Sequence, residues 1–209
     1  MRIAIIGAGA LGTAIAGDLI EAGHEIVFGG GASAHDAAAR LGAIASSNAE
    51  AAAFADVVAL AVPFRAIDAA LAQTGSLDGA VLWSCVNALK PDLSGLAVGF
   101  DTSAAEEVAR RAPGARVVAA IPPFAEALAN GDLRYDAGLA PSVFICGDDE
   151  QAKAVVELLV LDLGAHPVHA GPLAAARLIE PAMMLLVRLA YAGVPRDIGL
   201  RLLERTRQR

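Results

Sequence analysis

Lysine is nearly absent from this chain: Lys90 and Lys153 are the only two in 209 residues, and arginine carries the remaining positive charge. With 16 basic against 23 acidic side chains the formal net charge is −7. That balance argues against a general grip on nucleic acid, which needs a basic surface. Cysteine is limited to Cys85 and Cys146, which do not form a metal-ligand spacing. Each follows an apolar run (VLWSC, SVFIC) and reads as a buried thiol at a strand end, which suits a cytoplasmic chain. Long apolar runs are also missing, although 56% of the residues are hydrophobic and the mean hydropathy is +0.54. No uncharged stretch reaches the ~18 to 20 residues that a membrane span requires. The most apolar one, PAMMLLVRLAYAGV, is broken by Arg188 and reads as a buried helix or a subunit interface. At the start, residues 2–6 run directly into a glycine motif with no separate cleavable segment.

What is present is an alternation of strand and helix signals. RIAII, EIVF, DVVALAV, AVLWS, RVVAAI, PSVFIC and HPVHA read as seven strands. Between them lie helical runs: residues 10–22, SAHDAAARL with Ser33 as its N-cap, 48–55 capped by Asn48, SAAEEVARR with a Ser103–Glu106 capping box, and DEQAKAVVELLVLDLG. Strands apolar throughout and separated by helices imply a parallel sheet covered on both faces, a doubly wound α/β fold. After residue 172 strand signals stop. Residues 173–208 read as two helices broken at Ala192-Gly193-Val194-Pro195, with Pro181 expected to kink or restart the first. The chain thus divides into a doubly wound α/β domain over 1–171 and a small helical appendage over 172–209.

Gly7-Ala8-Gly9-Ala10-Leu11-Gly12 is G-x-G-x-x-G. Alone the pattern is weak, but here it follows a strand, opens a helix and precedes a second strand, the context of a dinucleotide fingerprint. Gly7 permits the tight turn, Gly9 lets backbone approach a pyrophosphate, and Gly12 lets helix and strand pack closely. Free N–H groups near Ala10 and Leu11 would face the phosphates.

The second strand ends in Phe28-Gly29-Gly30-Gly31. NAD sites usually place a carboxylate there, and NADP sites an arginine or a small hydroxyl residue. Neither is present, so nothing repels a 2′-phosphate. Ser33 and His35 could bond to one, and Arg40 lies farther along. NADP and NAD both stay open.

Ligands in open α/β sheets sit outside the carboxyl ends of the strands. The residues just past strands three to five are Ala61-Val62-Pro63-Phe64, Cys85-Val86-Asn87-Ala88 and Ile121-Pro122-Pro123-Phe124, mostly apolar or proline. No Ser-His-Asp set, paired carboxylate or metal cluster appears; His166 and His169 alternate in a strand and read as structural. An apolar cleft poor in acids and bases suits direct hydride transfer between two flat redox rings.

Five stretches together carry a family resemblance: GAGALG, ADVVALAVPF, TSAAEEVARRAPGARVVAA, SVFICGDDEQAKAVVELL and HAGPLAAARLIEP. The chain resembles the NADPH-dependent coenzyme F420 reductase family over about residues 2–203. Its N-terminal part also resembles the reductase portion of ferric reductases that use NADPH and flavin. The F420 resemblance implies hydride movement between NADP and a deazaflavin, a Rossmann domain, and a subunit interface formed by the helical C-terminal part. It implies that Gly7, Gly9, Ala10, Leu11 and Gly12 hold the pyrophosphate, that Ala61, Val62 and Pro63 line the nicotinamide side, and that Asn87 faces the nicotinamide ribose. The chain departs from the family pattern at Gly30 and Gly31, where a Ser-Arg pair is common. His35 falls where a further basic residue often sits. It departs again at Ile121-Pro122-Pro123, where polar residues including a histidine are usual, and at His169, which replaces an aspartate.

The leading expectation is an oxidoreductase coupling NADP(H), or NAD(H), to F420 or a flavin. The alternatives are a dehydrogenase or reductase of a small organic substrate and a nucleotide-binding domain that does not turn over. A homodimer is expected, through the Met183, Met184, Leu185, Leu186 and Leu189 stripe, unless that stripe packs on its own sheet. For the small-substrate reading the short tail offers Glu180, Arg177 and Tyr191 as its best polar candidates. Glu180 lies three residues from Arg177, so a structural pair on one helix is the alternative for those two.

Overall fold

The computed structural model describes residues 1–131, 133–193, 198–203 and 205. The elements run β1 (Arg2–Ile6), α1 (Ala10–Glu21), β2 (Glu25–Gly29), α2 (Ala32–Leu41), β3 (Ile44–Ser46), α3 (Asn48–Phe54), β4 (Val57–Leu60) and α4 (Ile67–Leu71). They continue with β5 (Val81–Ser84), α5 (Ala104–Arg111), β6 (Arg116–Ala120), α6 (Ala125–Ala129), β7 (Ser142–Gly147), α7 (Glu150–Asp162), β8 (His166–Gly171) and α8 (Ala176–Tyr191). One sheet of eight strands has the order β3-β2-β1-β4-β5-β6-β7-β8. Every neighbouring pair is parallel except β6 and β7.

The doubly wound sheet follows from strands apolar on both faces. In β1, Ile3 and Ile5 enter one buried cluster while Ala4 and Ile6 enter the other, so alternate side chains feed two cores. The sheet reverses its winding between β1, which leads out to β2 and β3, and β4, which leads the other way. That switch opens a crevice above the carboxyl ends of β1 and β4, where the glycine motif lies.

Several local expectations are corrected. An eighth strand, β3, was not legible as an apolar run: it is three residues at the sheet edge, with Ile44 59% exposed. Gly31, not Ser33, is the N-cap of α2, and Ser33 falls in its first turn. Ser47, not Asn48, caps α3 through a reciprocal box with Glu50, because the serine hydroxyl reaches the Glu50 N–H at 3.2 Å. Ser103 caps α5 as expected, but the Glu106 carboxylate bonds the Ser103 hydroxyl and Arg177.

Pro181 lies inside a continuous α8. Proline costs a helix interior about 3 kcal/mol, and burial of Ile179, Met184 and Val187 on either side holds the helix together. The second C-terminal helix is not found in the described part: residues 198–203 form no helix, and the rest of the expected span lies outside the described residues apart from residue 205. Residues 198–202 instead run beside the start of β7, where Ser142 donates its N–H to the Leu200 carbonyl at 2.6 Å and its hydroxyl accepts from the Leu202 N–H at 3.0 Å. Arg177 and Glu180 do not pair with each other. Both reach across to α5, Arg177 to Glu106 and Glu180 to the helix N-terminus.

Candidate active site

The phosphate-binding turn is built by exclusion of side chains. Gly7 sits at φ +114°, and a Cβ there would collide with the Ala61 carbonyl and the Val62 side chain. A Cβ on Gly12 would strike the Gly7 carbonyl oxygen. Both glycines are therefore required by packing. Gly9 is different: a Cβ would meet nothing within 4 Å, so the lack of a side chain here leaves open space. Helix α1 starts immediately after Gly9, and its earliest backbone bond is from Thr13 N–H to the Gly9 carbonyl at 2.9 Å. The N–H groups of Ala10, Leu11 and Gly12 precede that bond and lack intrahelical acceptors, as helix geometry requires.

The structure brings Gly7, Gly9, Ala10, Leu11, Gly12, Ala61, Val62, Pro63 and Asn87 to the carboxyl ends of β1, β4 and β5. Ala61 is held by its N–H to the Ile6 carbonyl at 2.8 Å, and Cys85 by its N–H to the Leu60 carbonyl at 3.1 Å. Gly30, Gly31, Ser33 and His35 lie past β2, on the other flank of the turn. Gly31, Ser33 and His35 are exposed there, and the His35 ring Nδ1 is 3.1 Å from the Gly31 carbonyl oxygen.

Beside the start of α1 a cavity of about 300 Å³ opens. Ala10 and Leu11 form one wall, Cys85 and Asn87 another, and Ile121, Pro122 and Pro123 a third. Trp83, fully buried in β5, steadies the third wall by donating its indole N–H to the Ala120 carbonyl at 2.8 Å. Burial pushes the Cys85 thiol well above its usual range, so it stands there as a neutral apolar group. The Asn87 Oδ1 is buried and has no hydrogen-bond partner. Orphaned acceptors of this kind are uncommon in folded chains and mark a place where a ligand donor fits.

Sequence reasoning missed part of this cavity. Glu126, exposed, lines it, and so do Met183 and Leu186 of α8 and the 198–200 segment, while Tyr191, a polar candidate from the sequence, lines it as well. No local pattern signals that a C-terminal segment returns to close a site at the other end of the chain. Ala61–Pro63 and the Gly30–His35 flank lie outside the cavity. Both cysteines are buried and unpaired, and among the described residues no set of three His, Cys, Asp or Glu side chains could hold a metal. Among the described residues no helix is long and apolar enough to cross a membrane.

Comparison with known proteins agrees with this geometry. Residues 2–88 match the family model described as NADP oxidoreductase coenzyme F420-dependent. An F420-dependent NADP reductase of Methanothermobacter thermautotrophicus is 31% identical over 222 residues, covering 97% of this chain and 94% of that protein. A crystal structure from Arthrobacter sp. FB24, of a protein provisionally named an F420-dependent NADP-reductase, superposes with a TM-score of 0.84 at 27% identity, covering 98% of this chain and all of that one. A reductive aminase from Aspergillus terreus in complex with NADPH4, at 19% identity and a TM-score of 0.66, shares the fold, covering 92% of this chain and 62% of that one. A Rossmann sheet, a side-chain-free phosphate turn and a relative alike over nearly its full length lead to one assignment: the chain belongs to the F420-dependent NADP reductase family of NAD(P)-dependent oxidoreductases.

Proposed function

We propose that this chain transfers a hydride between NADP(H), with NAD(H) as the alternative nucleotide, and a second flat redox ring, either F420 or a flavin. The observation that carries the reading is the apolar cavity of about 300 Å³ lying directly against the start of α1. A pyrophosphate fits the open space at Gly9, where the free N–H groups of Ala10 and Leu11 and the positive end of the helix favour an anion. Asn87 has an acceptor to spare for a ribose hydroxyl. Ala61, Val62 and Pro63 border the nicotinamide side.

When bound, the nicotinamide supplies the hydride chemistry. The chain's own residues hold, orient and keep dry. Pro122 and Pro123 have no N–H to donate, and with Ile121 they give a wall that binds little water. Met183 and Leu186 of α8 close the opposite side and limit how far apart two stacked rings can sit.

Glu126 and Tyr191 support a second reading. Either could deliver a proton to a ketone or imine, so reduction of a small organic substrate is the competing activity. NADPH carrying deuterium at the transferable position separates the two. Retention of the label on a ring carbon of reduced F420 is the expected result. Turnover of keto or imino acids with no reaction of F420 or FMN would replace it with the second reading, and tight nucleotide binding without any turnover would leave a sensing domain.

The same reading takes residues 1–171 as the nucleotide-binding part and 172–209 as the appendage, in a cytoplasmic homodimer. Leu178, Leu185 and Leu189 lie exposed along α8 while its other side is buried or lines the cavity, which supports α8 as the dimer face. A solution mass of one chain would remove the dimer.

A further inference from the structure

The glycines after β2 leave open how a 2′-phosphate would be held, and the loop after β4 answers it. Residues 64–66 form a 3-10 turn between β4 and α4. Phe64 packs into the core and pins the turn. Arg65, next to it, is exposed and makes no hydrogen bond or ion pair with any described residue. Arg2 is engaged by Asp56, Arg110 and Arg111 by Glu107, and Arg177 by Glu106, whereas Arg188 on α8 and Arg205 are, like Arg65, exposed and without a hydrogen bond or ion pair to any described residue. Of these three, Arg65 alone lies on the loop after β4, beside the phosphate turn.

Its place in the fold is informative. The strand order β2-β1-β4 puts the ends of β2 and β4 on either side of β1, about 10 Å apart at two strand spacings. The loop after β4 rests on the phosphate turn, since Val62 and the Ala61 carbonyl occupy the space where a Gly7 side chain would be. On the far side, Asn48 at the start of α3 abuts Gly29, and its amide donates to the Ala70 carbonyl of α4 at 3.4 Å. The end of β2, the start of α3 and α4 thus form one continuous wall. Arg65 stands on one bank of the crevice and His35 on the other. The His35 Nδ1 is against the Gly31 carbonyl, which leaves Nε2 without a protein partner.

We infer that Arg65, reaching from the β4–α4 loop with His35 opposite, reads the adenosine 2′-phosphate and selects NADP over NAD. This rests on the cofactor reading above and assigns to another loop the work that the glycines of β2 cannot do. A guanidinium fork matches a phosphate with two parallel hydrogen bonds, while the 2′-hydroxyl of NAD offers it no charge. The Gly31 flank supplies the room: a Cβ there meets nothing within 4 Å.

Binding is measured by fluorescence titration of NADPH and NADH, and by competition with adenosine 2′,5′-bisphosphate against AMP. Arg65→Ala should weaken NADPH and the bisphosphate about tenfold or more. NADH and AMP should move by less than about twofold, the usual range for a surface change away from the ligand. Arg65→Lys should recover part of the loss, and rising salt should narrow the NADPH-to-NADH gap in the unaltered protein. If Arg65→Ala shifts both nucleotides equally, or neither, the assignment of Arg65 is overturned while the cofactor reading stands. If the unaltered chain binds neither nucleotide, the cofactor reading itself falls.

Discussion

The Glu180 carboxylate on α8 accepts the Ala104 N–H at 2.9 Å, at the N-terminus of α5. It also accepts the Ala105 N–H at 3.1 Å, and the side chain is only 2% exposed. A glutamate from the C-terminal helix therefore caps a helix of the nucleotide-binding part, and Arg177 clamps Glu106 one turn away. These bonds orient α8, whose Met183 and Leu186 wall the cavity.

That cap sets a pH dependence. Burial pushes the Glu180 carboxyl up to about 7, against the pull of backbone N–H groups of Ala104, Ala105 and Ala88. The folded-state value lies above that of the unfolded chain, near 4.5. The protonated form is the one folding favours. Its stabilising contribution is complete below pH 4.5 and declines as pH rises to about 7. Thermal melts should show the unaltered protein losing stability relative to Glu180→Gln across that window, by an amount on the order of 3 kcal/mol. A constant difference between the two at all pH values would show that Glu180 does not titrate there.

The glycines of the phosphate turn should separate by role. Gly12→Ala places a methyl against the Gly7 carbonyl and should lower stability by about 1 to 3 kcal/mol, as overpacking does. Gly9→Ala places a methyl in open space at ordinary φ of −78°, so the melt should hold within about 0.5 kcal/mol. Nucleotide affinity should nonetheless fall about tenfold or more, because the methyl occupies the approach to the pyrophosphate. Titration and melting of the two variants check this, and a Gly9→Ala protein that binds as tightly as the original would remove Gly9 from the site.

Gly31→Arg should increase preference for NADP. Gly31 has φ −93° and free space beside it, so the new side chain enters without strain. A gain of about tenfold in NADPH over NADH affinity is expected from one added charge-assisted contact. An unchanged ratio would mean that the end of β2 does not meet the ribose.

The features legible in sequence were those fixed by short-range chemistry. The glycine spacing, the apolar strands and the Ser103 cap all follow from a few neighbouring residues, and each is found in place. The residues expected at the phosphate turn do converge. What stayed hidden depended on distant partners: β3 is an edge strand with little to bury, and Ser47 displaces Asn48 as a cap only because Asn48 turns inward toward Gly29 and Ala70. Arg177 and Glu180 suggest a pair three residues apart, but α5 offers both better partners.

From sequence alone, then, came the doubly wound architecture and the phosphate turn, because strand burial and glycine sterics are set by local residue type. Tertiary structure alone decided that β6 and β7 run antiparallel, that α8 and residues 198–200 close the cavity, and that Glu126 and Tyr191 line it. The physical reason is distance along the chain. Such contacts form between segments tens of residues apart, whose meeting depends on how the whole core packs and leaves no periodicity in either segment.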